Sequence, residues 1–274
     1  MRIYPPLIIE TERMRVSIVQ TSPIFGNIQS NIKEALSAME SEEADLFVLP
    51  ELFNTGYNFI DADEVNKLSE PIEGVTYEAI AEFTNRKRCY VAYGFAEKSD
   101  HIYNSSALVG PTGLAGLYRK VHLYNREHLF FAPGNLGFPV FDIPFGKIGM
   151  MICFDWIFPE SARSLALHGA QLIVHPSNLV MPYCPDAMVT RCLENRVFAA
   201  TANRVGKESR GGVQFKYIGK SEVVTPKGEI LVRLNSDQSG ISVVEIDLEL
   251  AKNKKLNEYN DLLQDRKPDQ YTVS

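Results

Sequence analysis

The sequence predicts an α/β fold in which two similar sheets pack face to face and each carries helices on its other face. Two observations predict it. Apolar runs of strand length alternate with segments whose apolar residues recur at i, i+3, i+4 and i+7, the periodicities that separate strands from helices. The order strand, helix, strand, helix, strand, hairpin then occurs twice along the 274 residues. The two halves share little identity, so the repeat is one of architecture. Two half-covered sheets bury their bare faces most simply against each other.

Residues 1–13, charged and containing Pro5 and Pro6, precede the first strand and read as an extension, an arm or a frayed end. The domain proper, residues 14–250, opens with the strand Val16–Gln20. A helix follows with Ile32, Ala35, Leu36 and Met39 on one face, then the short strand Leu46–Pro50. A second helical face, Tyr77, Ile80, Ala81 and Thr84, leads to the strand Cys89–Tyr93. The segments Ser106–Val109 and Leu114–Tyr118 form a hairpin around Gly110-Pro-Thr-Gly113. From Val121 to Pro139 the pattern breaks into a long aromatic loop punctuated by Pro and Gly, the kind of loop that lines sites.

The second series starts with the apolar run that ends at Cys153, followed by a Pro-initiated helix from Pro159 to Gly169 carrying Ala162, Leu165 and Ala166. Arg163 is placed to pair with Glu160, three residues earlier in that helix, or with Asp155 before the helix begins. The strand Gln171–His175, a helix from about Asp186, the strand Phe198–Ala202 and a hairpin of 221–225 with 229–233 complete the series. A further strand, Ile241–Asp247, precedes a charged helical stretch. The tail 251–274 keeps Leu256, Tyr259, Leu262 and Leu263, and reads as packing onto another subunit or wrapping its own.

Composition excludes several classes. A hydrophobic content of 45% with a formal charge of −6 and no basic run leaves no footprint for nucleic acid or an anionic membrane. No apolar window approaches the roughly 18 residues of a membrane span, and the start lacks a signal-peptide layout, so the chain is expected in the cytoplasm. Cys89, Cys153, Cys184 and Cys192 show no CxxC spacing and suit free thiols in a reducing compartment. The five histidines lack zinc-ligand spacing, and His122 and His128 have no evident metal-binding partners. Gly211-Gly212 opens no helix and is no phosphate loop. No cofactor is expected.

Three groups stand just past strand or hairpin ends: Glu51, Lys120 and Cys153. Ligands bind at strand ends in open α/β sheets, which makes the thiol a candidate nucleophile. The alternative is a buried cysteine acting as a small hydrophobe, beside a solvated Glu and a surface Lys.

The residues around all three form ordered blocks: Leu49-Pro-Glu-Leu-Phe53, Tyr118-Arg-Lys-Val-His-Leu123 and Ile152-Cys-Phe-Asp-Trp-Ile-Phe-Pro-Glu160. These resemble the signature blocks of the nitrilase, or carbon–nitrogen hydrolase, superfamily. The likeness spans roughly residues 14 to 250 through Tyr103-Asn-Ser, Phe131-Ala-Pro-Gly134 and Gly219-Lys-Ser221. Glu51–Phe59 and Asn178–Tyr183 are similar to archaeal nitrilases of hyperthermophiles.

The resemblance implies a four-layer α-β-β-α sandwich, a homodimer or higher homo-oligomer, and a thiol hydrolase of a small aliphatic nitrile or amide that needs no cofactor. By it Glu51 is the general base, Lys120 the cation beside the developing oxyanion, Cys153 the nucleophile and Glu127 the second glutamate. Glu127 could alternatively order its loop by pairing with Arg119 or Arg126. A neutral thiol is a weak nucleophile, so a base and a cation near it are chemically apt. The Phe154 N–H with Lys120 would bind the oxyanion, and a thioester would form and hydrolyse.

Tyr57, Phe154, Trp156, Asn178, Met181 and Tyr183 are candidates for the substrate pocket, with plain packing as the alternative for each. Phe154-Asp155 after the cysteine is more usual in amidase and carbamoylase branches, so an N-carbamoyl amine substrate stays open, as does a non-catalytic interaction role on the same scaffold.

Overall fold

The computed structural model describes residues 13–271. The extension expected at 1–13 therefore lies outside the described residues except for Arg13.

The first half comprises β1 (Met14–Gln20), α1 (Ile28–Glu40), β2 (Leu46–Val48), α2 (Ala62–Leu68), α3 (Val75–Lys87), β3 (Tyr90–Lys98), β4 (Ile102–Gly110) and β5 (Gly113–Arg119). The second comprises β6 (Val140–Ile143), β7 (Gly146–Met150), α4 (Pro159–Leu167), β8 (Leu172–Pro176), α5 (Cys184–Asn195), β9 (Phe198–Ala202), β10 (Lys207–Arg210), β11 (Val213–Lys216), β12 (Glu222–Val224), β13 (Ile230–Arg233) and β14 (Gly240–Ile246).

Among the described residues the strands form two six-stranded sheets, ordered β14-β1-β2-β3-β4-β5 and β6-β7-β8-β9-β12-β13, and the separate hairpin β10-β11. Pairing types match position by position. In each sheet the first pair is antiparallel, the next two are parallel and the last two are antiparallel. The repeat read from the sequence is thus the architecture, with one exchange. β14, the last strand, lies antiparallel on β1 and plays for the first sheet the part that β6 plays for the second.

Alternate residues of the central strands face different partners. Val16, Ile18, Leu46, Val48 and Ala92 join the core shared with Ile148, Met150, Leu172 and Val174 of the other sheet. Val19, Phe47, Val91 and Tyr93 instead meet Ile32, Ala35, Met39, Ile80 and Phe83 of α1 and α3. Burial on both faces explains why these strands read as continuous apolar runs. At about 1.5–3 kcal/mol for each fully buried large apolar side chain, this shared core is the main force joining the sheets.

Helix faces follow the sequence with small rotations. In α1 Ile32, Ala35 and Met39 are buried and Leu36 half-buried. In α3 the buried face is Thr76, Ile80, Phe83 and Thr84, one residue round from the expected Tyr77 and Ala81. The helix α2, which the sequence pattern did not reveal, buries Val65 and packs Leu68 partly against the same cluster, and is started by Asp61 accepting from the Glu64 N–H at 2.9 Å. Seven residues are too few for periodicity to register.

The charged helical stretch expected after residue 247 is absent among the described residues; the chain there forms a 3-10 turn at Leu248–Ala251 and then a run of tight turns. The reason is local. Asn253, Asn257 and Asp261 side chains accept from backbone N–H groups two and three residues ahead, which competes with helix formation. No helix among the described residues is long and apolar enough to cross a membrane.

Candidate active site

Three chain reversals at strand ends bring the site together. Beyond β2 the chain turns through Glu51 and Leu52, whose φ of +49° marks the turn. Gly94 of β3 donates to the Pro50 carbonyl at 3.1 Å. A side chain at Gly94 would place Cβ 2.5 Å from Glu51 Cα, so only glycine allows this strand to support the turn. Beyond β5, the Lys120 N–H donates to Asn104 O and the Lys120 carbonyl accepts from Gly134, each at 2.8 Å. Beyond β7 the strand ends at Met150, three residues before the cysteine. Cys153 opens a 3-10 turn, Cys153–Ile157, with φ of +40°. A non-glycine residue held in that region is strained and depends on its surroundings.

The surroundings are polar and buried. His175, at the end of β8, places Nε2 2.9 Å from the Cys153 carbonyl, with Thr201 Oγ1 3.1 Å from its Nδ1. A carbonyl only accepts, so Nε2 carries the proton and Nδ1 accepts from the threonine. Burial pushes His175 down to about 4, so the ring is neutral near pH 7.

Lys120 Nζ lies 2.7 Å from Glu51 Oε1 and 2.7 Å from Glu127 Oε1, and both Lys120 and Glu51 are completely inaccessible. Asn104 donates to Glu51 Oε1 at 2.7 Å, and the Tyr57 hydroxyl donates to Glu127 Oε1 at 2.6 Å. Glu51 Oε2 and Glu127 Oε2 are buried without a hydrogen-bond partner among the described residues. Each carboxylate therefore ties one oxygen to the lysine and keeps the other free. The Arg119 alternative for Glu127 does not hold, because Arg119 forms a two-pronged pair with Glu97 at 2.6 and 3.0 Å. Arg126 instead donates to the Ile60 carbonyl.

The charges settle in opposed directions. Burial raises Glu51, partly offset by Lys120 and reinforced by Glu127. For Lys120, burial alone favours the neutral amine, but the two glutamates outweigh it and hold the ammonium above its ordinary range. Burial pushes the Cys153 thiol well up, Glu51 adds to this and Lys120 opposes it. The thiol rests protonated, so attack by sulfur requires a proton acceptor at that moment. The other cysteines are free and buried.

A cavity of about 20 Å³ is lined by Cys153, Phe154, Trp156, Asn178 and Met181, joined by Tyr124, Leu179 and Val180. Asn178 Nδ2 also donates to the Glu51 carbonyl at 2.9 Å. Tyr57 and Glu127 line a second cavity of about 20 Å³ with Phe59, Phe130, Phe131, Arg126 and Phe215. Tyr183 does not join either lining. It is 64% exposed at the start of α5, which begins two residues earlier than expected and carries the side chain outward. A larger cavity of about 840 Å³ lies between α4 and the 256–271 segment, away from the thiol.

Several participants were not recognised from sequence. His122, considered from sequence only as a metal ligand, meets Asp155 Oδ1 at 2.8 Å. Asp155 in turn is unavailable to Arg163, which donates to the Glu194 carbonyl at 2.8 Å. Asp155 faces inward from the 3-10 turn, and Arg163 reaches the neighbouring helix. Asn104 lies in the Tyr103-Asn-Ser segment, where its residue type alone points to no role. His175 ends an apolar run, the same signal that singled out Glu51. The hairpin β10-β11 was missed altogether. Its Glu208 accepts from the Tyr57 and Asn58 N–H groups at 3.2 and 2.8 Å and thereby fixes the Tyr57 loop.

A family model described as carbon-nitrogen hydrolase matches residues 15–255. Over 261 residues the chain is 48% identical to a nitrilase from Pyrococcus abyssi, the match covering 94% of this chain and 97% of that protein. It is 33% identical over 260 residues to an (R)-stereoselective amidase from Pseudomonas sp., covering 93% and 92% respectively. Its fold matches the carbon-nitrogen hydrolase from Helicobacter pylori with a TM-score of 0.84 at 24% identity, covering 95% of this chain and 97% of that one. With the family model spanning all but the ends of the sequence, the protein belongs to the carbon–nitrogen hydrolase family and is a hydrolase of the nitrilase and amidase type.

Proposed function

We propose that this enzyme hydrolyses a small aliphatic amide or nitrile through a thioester on Cys153. The observation that carries the reading is the buried Glu51–Lys120–Glu127 chain, with one oxygen of each carboxylate unpaired, electrostatically coupled to the thiol.

With an amide, Glu51 takes the Cys153 proton as sulfur bonds to the carbonyl carbon. Negative charge moves to the carbonyl oxygen, where the Lys120 ammonium and the Phe154 N–H stabilise it. The proton held by Glu51 passes to the nitrogen, the carbon–nitrogen bond breaks, and ammonia leaves a thioester. Water then loses a proton to Glu51 and adds to the thioester carbon. Collapse expels sulfur, which regains its proton from Glu51, and the acid departs. With a nitrile, addition of sulfur to carbon and of the proton to nitrogen gives a thioimidate. Water adds to it and ammonia leaves, giving the same thioester. Glu127 orients Lys120 and the substrate nitrogen.

The narrow cavity beside Cys153, lined by Phe154, Trp156 and Met181, supports a small, apolar acyl group. The likeness to the Pyrococcus abyssi nitrilase supports the nitrile, and the likeness to the Pseudomonas amidase supports the amide. Ammonia release from matched nitrile and amide pairs of one carbon skeleton, with wild type and Cys153→Ala, tests the reading. Turnover of at least one member with a silent mutant is expected. Turnover by Cys153→Ala would refute it, and the preferred member of each pair names the substrate class.

Free thiols support a reducing, cytoplasmic setting. Leu256 and Tyr259, 54% and 83% exposed in the 251–271 segment, support a second copy of the chain packing there. A monomeric mass in light scattering would overturn the dimer.

A further inference from the structure

Asp155 is fully buried two residues after the nucleophile, and its two oxygens receive four hydrogen bonds. Oδ2 accepts from the Ile152 N–H at 2.9 Å and from the Tyr118 hydroxyl at 2.7 Å. Oδ1 accepts from the His122 N–H at 3.1 Å and from His122 Nδ1 at 2.8 Å, where the ring nitrogen must carry the proton because a carboxylate only accepts. Ile152 immediately precedes Cys153. Tyr118 and His122 stand two residues before and two after Lys120. One carboxylate therefore bridges the backbone that carries the thiol and the backbone that carries the ammonium.

The bridge is rigid. Tyr118 is fully buried, and its hydroxyl also accepts from the Val121 N–H at 3.2 Å. The His122 ring stacks on Phe158 with centroids 3.7 Å apart and planes 13° from parallel, and Phe158 follows the 3-10 turn that Cys153 opens. Nothing else in that turn links it to residues 118–122 by side-chain hydrogen bonds among the described residues.

We infer that Asp155 is a positioning residue, which sets the separation of the Cys153 sulfur and the Lys120 ammonium by clamping residues 118–122 to the nucleophile turn. It does not touch the substrate. Asparagine there keeps the size but offers one accepting oxygen, and its NH₂ would meet an N–H or O–H donor. The two chain segments then separate or twist. The inference rests on Cys153 and Lys120 having the roles proposed above.

The experiment compares wild type, Asp155→Asn, Tyr118→Phe, Lys120→Met and Asp155→Asn/Lys120→Met. It reads kcat and KM for the preferred amide or nitrile, and the pH dependence of Cys153 alkylation by iodoacetamide followed by intact mass. Asp155→Asn is expected to lower kcat by about 100-fold with KM little changed, the cost of slight misplacement of reacting groups. Its alkylation curve should move to higher pH, toward that of Lys120→Met, because the thiolate loses its cation. In the double variant the curve should coincide with that of Lys120→Met alone, as two changes acting through one contact do not add.

Tyr118→Phe removes the hydroxyl, and with it one of the four bonds to Asp155 and the bond from the Val121 N–H, without removing the ring; it should shift both readouts in the same direction by less, and carries the test if Asp155→Asn does not fold. An unmoved alkylation curve in both Asp155→Asn and Tyr118→Phe, or a double variant shifted well beyond Lys120→Met, would overturn the clamp even if activity fell. Activity surviving in Cys153→Ala would remove the proposed nucleophile, and the clamp with it. A silent Cys153→Ala beside a fully active Asp155→Asn would overturn the clamp alone.

Discussion

Lys120 Nζ sits 2.7 Å from Glu51 Oε1 with neither residue reached by solvent, so an ion pair at the end of two different strands is held entirely by protein. Removing one partner from such a pair leaves the other charge unmatched. Lys120→Met should destabilise the protein by about 3–5 kcal/mol. If Lys120 is the oxyanion cation proposed above, its loss should also lower kcat by about 100- to 1,000-fold. Denaturant unfolding and steady-state ammonia release check the two separately. Unchanged kcat in a folded variant would deny Lys120 its proposed role.

Tyr57 holds Glu127 through its hydroxyl, which donates to Oε1 at 2.6 Å. Tyr57→Phe keeps the ring against Phe215 and Tyr217 and deletes that bond. A hydrogen bond to a charged group contributes about 1.5–3 kcal/mol. A drop in kcat/KM of about tenfold or more is expected, with the chain still folded. A variant as active as wild type would mean that Glu127 is held by Lys120 alone.

His175 gives the stability of this protein an acid-side slope. Its folded value is lowered to about 4 from the ordinary 6.5, so the unfolded chain binds the extra proton first as pH falls. Stability from the neutral, buried ring is full above 6.5 and is lost as pH falls from there toward 4, by up to about 3 kcal/mol. His175→Gln should flatten the plot of Tm against pH in that window, while also loosening the Cys153 carbonyl and lowering kcat. Parallel wild-type and variant Tm curves between pH 4 and 6.5 would contradict this.

Gly94→Ala probes the backbone rather than a functional group. The added Cβ would lie 2.5 Å from Glu51 Cα and 2.8 Å from the Leu52 nitrogen, and backbone cannot rotate away as a side chain can. A loss of at least about 1–3 kcal/mol is expected, together with displacement of Glu51 and loss of activity. Calorimetry and ammonia release read both effects. A variant with wild-type Tm would show that the turn accommodates the methyl group.

The order of elements was legible because strands buried on both faces and amphipathic helices leave strong periodicities, as in Ile173 with Val174 and in Ile32, Ala35 and Met39. The strand Phe198–Ala202 has the bounds read from the sequence. Short or locally capped pieces were not legible. α2 and the hairpin β10-β11 hold too few apolar residues for a pattern, and the asparagines after residue 252 override an apparent helix. Nor could periodicity show that β14 returns to pair with β1, because that contact joins residues more than 200 apart in the chain.

For the site, sequence determined which residue types stand at strand ends; the ordered blocks pointed to Glu51, Lys120 and Cys153, and the family resemblance added Glu127. Only the tertiary structure decided which of them meet and in what protonation state. Glu127 pairs with Lys120 rather than with an arginine, Tyr183 faces outward, and Asp155 with His175 holds the Cys153 turn from two sides. Such facts depend on which groups lose water together. Desolvation and Coulomb interaction act through distances in space, which residue spacing along the chain does not encode.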